Sequence, residues 1–302
     1  MDSSYLTYPK RAYGQDHNFY NWRQAKDRTP LVWDDAAKLA VNLIVPVELF
    51  PLNPSGQPLK HPGAMATPYP DLRHYTVRDY GNRVGVYRIL EALADARLKA
   101  TFPVNGMAAI YCAPLMSHIL GDGHEIAAHG LSTDHIHHEG LSSENEAERI
   151  ADTVACFDVT PKGWLSPARN QSSRTLSCLV ARKLDYCLDW EMDSVPVSAK
   201  TATGHITLLP NSYELSDFTL LHTRKQTEDS WLAQLKEACE YLISEHARFG
   251  AQSLGLTLTP YIMGQPFRVW ALVEFLNYLA QHKDISVLTG AELTHQFTKQ
   301  SS

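Results

Sequence analysis

"RVGVYRILEALADARLKATFPV", residues 83–104, changes its hydrophobic period part-way along. Up to Leu98 the apolar residues recur at helical spacing, and from Lys99 to Val104 the pattern is that of a short strand. The same change recurs down the chain. "APLMSHILGDG" predicts a short helix with a glycine stop, followed by a strand in "HEIAAH" (124–129). "SSENEAERIADTVACF" (142–157) opens with a capping box from Ser143 to Glu146 and continues as a helix. "GWLS", "SSRTLSCLVARKL" and "DYCLDW" read as strand, helix and strand. "SWLAQLKEACEYLISEHARF", "SLGLTL", "FRVWALVEFLNYLAQH" and "ISVL" continue the alternation. Upstream, "LAVNLIVPVE" (39–48) is a continuous apolar run suited to a buried strand. Repeated strand–helix units predict an α/β chain with a largely parallel sheet or barrel, its functional groups at the C-terminal ends of the strands.

No internal repeat or linker divides the 302 residues, so one domain is expected. Residues 1–37 are polar and aromatic without periodicity and read as an N-terminal arm; 38–302 read as the barrel. Residues 51–72, dense in Pro and Gly, read as a long loop, and loops of that length in a compact domain tend to be functional. A formal charge of −6, with no basic run, speaks against a nucleic-acid or anionic-membrane partner. Five scattered cysteines without a C-x-x-C pair speak against a disulfide framework and against a thiolate metal site. "MDSSYLTYPKRAYG" has no apolar leader core and no long apolar run occurs, so a cytoplasmic protein is expected.

If the site lies at the strand ends, the candidates follow. The first strand ends at Glu48, the second near Asn105, the third at His129, and the fourth just before Arg169. Asp189 and Trp190 end the fifth, with Asp193 beyond. "ELSD" adds Glu214 and Asp217, and Thr259 ends the penultimate strand. A strand-end Glu and a strand-end His form a plausible general base and electrostatic partner. Five histidines in "GHEIAAHGLSTDHIHH" (123–138) also raise the question of a metal.

The series "LAVNLIVPVE", "DYGNRVGVYRILEAL", "KATFPVNG", "GHEIAAHG", "GWLSPARNQS", "DYCLDWEMD" and "LTPYIMGQPFR" resembles the polysaccharide deacetylase (NodB-homology) superfamily. "YGNRVGVYRIL" and "PYIMGQPFR" are similar to the branch of metal-independent allantoinases and other cyclic-amide hydrolases. The resemblance implies a distorted (β/α) barrel, usually of seven strands, that hydrolyses C–N bonds other than peptide bonds. It also implies a homo-oligomer, dimer or tetramer, and a small amide, imide or ureide as substrate.

Carried over by position, the motifs of the metal-dependent members are altered here. T-F-D-D becomes "PVEL": Glu48 can stand for the base, and Leu49 replaces a metal ligand. H-x-x-x-H becomes "HGLST", which keeps His129 and puts Thr133 in place of the second histidine. Thr259 stands where L-x-H-P would place an acid, and Leu165 where R-x-P would place an arginine, with Arg169 four residues on. A catalytic zinc needs three protein ligands and an open position, so no metal is expected as an obligatory cofactor. The resemblance is compatible with Glu48 as base and His129 as acid or electrostatic partner, and the strand-end positions add Arg169, Trp190, Asp193, Glu214, Asp217, Asn105 and Thr259 as expected substrate contacts. Two alternatives stay open: a metal-dependent deacetylase holding zinc or another divalent ion on His129, His135 or His137, and Glu48, or a non-catalytic ligand-binding relative.

Overall fold

The computed structural model of the chain describes residues 17–21, 23–54 and 70–300. Residues 1–16 and 22 of the expected arm, and 55–69 of the expected loop, lie outside the described residues. Strand β1 (Leu39–Ile44) is followed by helix α1 (Leu72–Tyr80), a π-helical turn (Gly81–Gly85) and α2 (Val86–Ala96). Then come β2 (Thr101–Val104), α3 (Gly106–Tyr111), α4 (Ala113–Gly121), β3 (Glu125–Ala128) and α5 (Ser143–Ala155). β4 (Gly163–Trp164), α6 (Thr175–Ala181), β5 (Tyr186–Cys187), β6 (Val197–Lys200) and β7 (His205–Leu208) follow. The chain ends with α7 (Glu228–Ser244), α8 (His246–Phe249), β8 (Gln252–Thr257), α9 (Pro260–Met263), α10 (Val269–Gln281), β9 (Ile285–Val287) and α11 (Gly290–Gln300).

Seven strands run parallel in the order β8-β1-β2-β3-β4-β5-β7, as the resemblance implied for the barrel. Two more exceed that expectation among the described residues. β6 adds an antiparallel edge to β7, and β9 pairs with Leu39–Val41 on the edge of β1 whose far end meets β2 at Ile44. The sheet curls until Ser212, beyond β7, bridges Leu256 of β8.

The period-2 alternation of strand side chains separates two environments. Leu39, Val41 and Leu43 of β1, Phe102 and Val104 of β2, and Leu254 and Leu256 of β8 face the outer core with α2, α7 and α10. Ala40, Ile44, Ala127, Tyr186 and Leu209 face the barrel interior. Continuing each alternation past the strand ends puts Glu48, Asn105, His129 and Thr259 on the interior side, at the C-terminal mouth. At the opposite end the Tyr186 ring fills the barrel, and a Cβ on Gly163 would lie 2.0 Å from it. Tyr186 donates its hydroxyl to half-buried Glu125 (2.7 Å), whose other oxygen accepts the Ala291 N–H (3.0 Å) and so caps α11. That end is closed.

Several local expectations change. The cap of α5 is Ser142, whose hydroxyl accepts the Asn145 N–H (3.2 Å), one residue before the expected box; Glu146 is drawn inward instead. α1, α3, the β6–β7 hairpin and α11 are additional to the elements the sequence pattern predicted; α11 is amphipathic and buries Leu293 and Phe297. Leu31, Trp33 and Ala37, within the stretch read as an arm, contribute to the interior cluster, and Trp33 Nε1 donates to the Gln252 carbonyl (2.9 Å). Among the described residues no helix is long and apolar enough to cross a membrane.

Candidate active site

Glu48 and His129 meet at the mouth. His129 is buried, Glu48 is 18% exposed, and Nε2 of the imidazole stands 3.5 Å from Glu48 Oε1. The other ring nitrogen, Nδ1, lies 2.7 Å from the Leu165 carbonyl oxygen. A carbonyl only accepts, so this bonding pattern assigns the hydrogen to Nδ1. Nε2 then faces Glu48 with its lone pair, and the contact becomes attractive when one proton is shared between them. Such an arrangement can hold a single proton between the two side chains.

The backbone around this pair is clamped. Asn105, wholly buried, accepts the Leu49 N–H on Oδ1 (2.7 Å) and donates Nδ2 to the His129 carbonyl. Asn82, in the π-helical turn, donates to the Glu48 carbonyl (2.8 Å). Asn105 was expected to touch substrate; its carboxamide is taken up in holding Glu48 and His129 in register.

Arg78 and Tyr261 complete the neighbourhood, and neither was named from the sequence. Arg78 is 6% exposed, with its guanidinium over the Phe50 ring (4.9 Å) and the Tyr261 ring (5.6 Å). Burial draws the Arg78 guanidinium below its ordinary value, against the opposing pull of Tyr261 and Glu48. Burial raises the Tyr261 phenol well above its usual range, helped by the charge of Glu48, so its hydroxyl keeps its proton. The two side chains can approach because Gly85 lies against α9: a Cβ there would be 2.1 Å from the Pro260 carbonyl oxygen. Of the two, Tyr261 lies within a quoted motif, "PYIMGQPFR", whereas Arg78 stands just before "DYGNRVGVYRILEAL" and had no sequence signal.

The other expected contacts divide. Asp217 is fully buried and accepts both the Thr259 N–H (2.6 Å) and hydroxyl (2.9 Å), so these two residues are tied to each other at the mouth. Burial pushes the Asp217 carboxyl up to about 7, although the bonds from Thr259 and Phe218 oppose it. Arg169 follows Ala168, both at φ 55°, and reaches across to Asn211 (carbonyl 2.8 Å, Oδ1 3.0 Å) beyond β7 and Thr257 Oγ1 (3.4 Å) of β8. Its guanidinium is thus occupied by protein acceptors. Trp190 donates Nε1 to Gln171 (2.8 Å) and packs edge-on against Phe19 and Tyr20 at the rim. Asp193 is paired with Arg28, and exposed Glu214 with Arg224. Both carboxylates are thus engaged by cations of their own. Two open grooves, of about 330 Å³ beside α11 and about 590 Å³ beside Phe19 and Tyr20, include neither Glu48 nor His129.

The relocated metal set does not assemble. His135 Nδ1 contacts Ser132 Oγ (2.5 Å) and Asp134 Oδ1 (3.3 Å). His137 lies edge-on to Trp164 with Nδ1 3.4 Å from buried Glu146. Thr133 gives its hydroxyl to the Leu49 carbonyl (3.0 Å). Among the described residues no three His, Cys, Asp or Glu side chains converge as a metal site, and the donors at Glu48 and His129 do not fit one.

The "polysaccharide deacetylase" family model matches residues 74–187. This match, over less than half of the chain, agrees with the resemblance to polysaccharide deacetylases read from the motifs. No curated protein matches the chain in sequence. Among solved structures, Puue allantoinase is 20% identical, with 97% of this chain and 98% of that chain covered at a TM-score of 0.77. A probable polysaccharide deacetylase from Pseudomonas aeruginosa PAO1 is also 20% identical, with 91% and 96% covered and a TM-score of 0.76. A CE4-family pseudoenzyme from Bacillus anthracis is 14% identical, with 88% and 69% covered and a TM-score of 0.50. The fold shared with the allantoinase and the probable deacetylase thus covers 91–97% of the chain.

Proposed function

We propose that the protein hydrolyses a non-peptide C–N bond in a small amide, imide or ureide, with Glu48 as base, His129 as its proton partner and no obligatory metal. The observation that supports this most directly is the 3.5 Å Glu48–His129 contact, with the far side of the imidazole anchored on Leu165. A decayed site has no need to keep a base, a histidine of assigned tautomer and an asparagine clamp on both. The similarity in fold to an allantoinase and to a deacetylase supports the reaction class.

In this reading Glu48 takes a proton from water as the water oxygen bonds to the carbonyl carbon. The carbonyl π electrons move to oxygen, giving a tetrahedral intermediate. The proton is returned to the leaving nitrogen as the C–N bond breaks, so that water is divided between an acid and an amine. His129, bonded to Leu165 through Nδ1, places Nε2 where it can hold that proton between the two steps. Asp217 and Thr259, locked together, form a rigid wall at the mouth, and Trp190 a rim.

Exposed Phe267 (59%), Trp270 (45%) and Val273 (36%) at and near the start of α10 support the expectation of a homo-oligomer. The test of function is turnover of allantoin, hydantoin, dihydrouracil, succinimide and an N-acetylated sugar after exhaustive chelation. Hydrolysis of one of them, reduced on the order of 10²–10⁴-fold in Glu48→Gln, is expected. Activity that disappears on chelation and returns with zinc would overturn the metal-free reading; no turnover at all would leave the ligand-binding one.

A further inference from the structure

A hydrolase without a metal still has to stabilise the negative charge that develops on the carbonyl oxygen. In this chain the positions of two metal ligands are filled by Leu49 and Thr133, and the Leu49 and Thr133 backbones are joined to each other (3.2 Å). Arg169, the cation expected to reach substrate, is occupied by Asn211 and Thr257. Arg78 is different. It is 94% buried by its 6% exposure, and one terminal nitrogen donates within its own helix to the His74 carbonyl (2.8 Å). Among the described residues its buried Nε has no hydrogen-bond partner, and no carboxylate lies within ion-pair distance of the guanidinium. Phe50 and Tyr261 hold it in a fixed orientation. A buried cation with an unused N–H is costly unless something negative arrives to meet it.

Resting on the proposed hydrolysis, we infer that Arg78 is a further catalytic residue, whose guanidinium receives the oxyanion of the tetrahedral intermediate. Three features carry the assignment: burial between two aromatic rings, an Nε–H unpartnered among the described residues, and closeness to Glu48 enough for its charge to act on the guanidinium without an ion pair between them. As water adds to the carbonyl carbon, the π electrons that move to oxygen meet the Arg78 N–H donors; when the C–N bond breaks they return to re-form the carbonyl. No proton is exchanged with Arg78. The work of a Lewis acid is done by a fixed guanidinium contributed by α1.

The experiment uses the full-length protein and the best-hydrolysed compound of the panel above. Arg78→Ala should lower kcat by on the order of 10²–10³-fold, with KM changed by less than about three-fold. Millimolar guanidinium chloride should restore kcat in that variant saturably, while methylammonium chloride should not, and the melting temperature should be the same with and without either salt. Arg78→Lys should retain the fold and recover only part of the rate, because a point charge lacks the planar fork; it carries the test if Arg78→Ala does not fold. An unchanged kcat in either variant, or a loss confined to KM, would overturn the role of Arg78. Absence of turnover in the wild type would overturn the proposed function itself, so the two failures are distinguishable.

Discussion

Thr133 donates both its N–H (3.2 Å) and its hydroxyl (3.0 Å) to the carbonyl oxygen of Leu49. The two positions at which the resemblance would have put metal ligands thus form a staple that holds the segment carrying Glu48 against the loop after His129. Thr133→Val removes the hydroxyl bond alone. It should cost about 1 kcal/mol of stability and lower kcat several-fold, checked by chemical denaturation and steady-state kinetics. An effect of chelator on the wild type but not on this variant would contradict the staple.

Asn105 makes a stronger prediction, because one carboxamide serves both halves of the pair. Asn105→Ala leaves the Leu49 N–H and the His129 carbonyl unsatisfied in a buried site. It should cost about 2–4 kcal/mol and about 10²-fold in kcat, since small displacements of positioned groups are costly in rate. Retention of full kcat would show that Glu48 and His129 keep their register without it.

Asp217 links stability to pH. Its carboxyl is raised from 3.8 to about 7 by burial, so the folded state binds the proton more tightly than the unfolded chain. The stabilisation is complete below about pH 4 and is lost as pH rises through 7. The wild-type melting temperature should therefore decline between pH 5 and 8, and Asp217→Asn, neutral throughout, should flatten that decline. A wild-type curve flat over this range would refute the assignment.

Glu146 acts in the opposite direction. Burial alone would raise its carboxyl, but hydrogen bonds with His137, Ser172 and Thr175 outweigh this and bring it down to about 2. Stability from this group is present above about pH 4.5 and disappears as pH falls toward 2. Glu146→Gln should destabilise by about 3–5 kcal/mol by breaking a buried pair while leaving kcat near wild type at temperatures where the variant is folded. Thermal melts from pH 7 to 2.5 check both parts.

His137 and His135 show what spacing could not settle. Both stand within reach of His129 along the chain, yet His137 is taken by Glu146 and Trp164, and His135 by Ser132 and Asp134. Glu146 itself looked like the end of a capping box. It became a buried carboxylate because Ser142, one residue earlier, supplied the cap. Arg78 and Tyr261 come from segments 180 residues apart in sequence, with no pattern to link them, and meet only because the glycines of the π-helical turn let α9 close upon it.

The alternation of helical and strand periods by itself determined the parallel α/β core, and the strand ends it predicted already named Glu48 and His129. Those features are local; β1 is buried along its whole length, so which of its residues face the barrel interior was decided by the tertiary packing. Which polar groups remain available for chemistry was decided only in three dimensions. Whether a histidine or an arginine is free depends on which acceptor a distant loop brings to it: Arg169 and His135 are hydrogen-bonded and His137 stands 3.4 Å from Glu146, while among the described residues Arg78 Nε has no hydrogen-bond partner and its guanidinium no carboxylate within ion-pair distance.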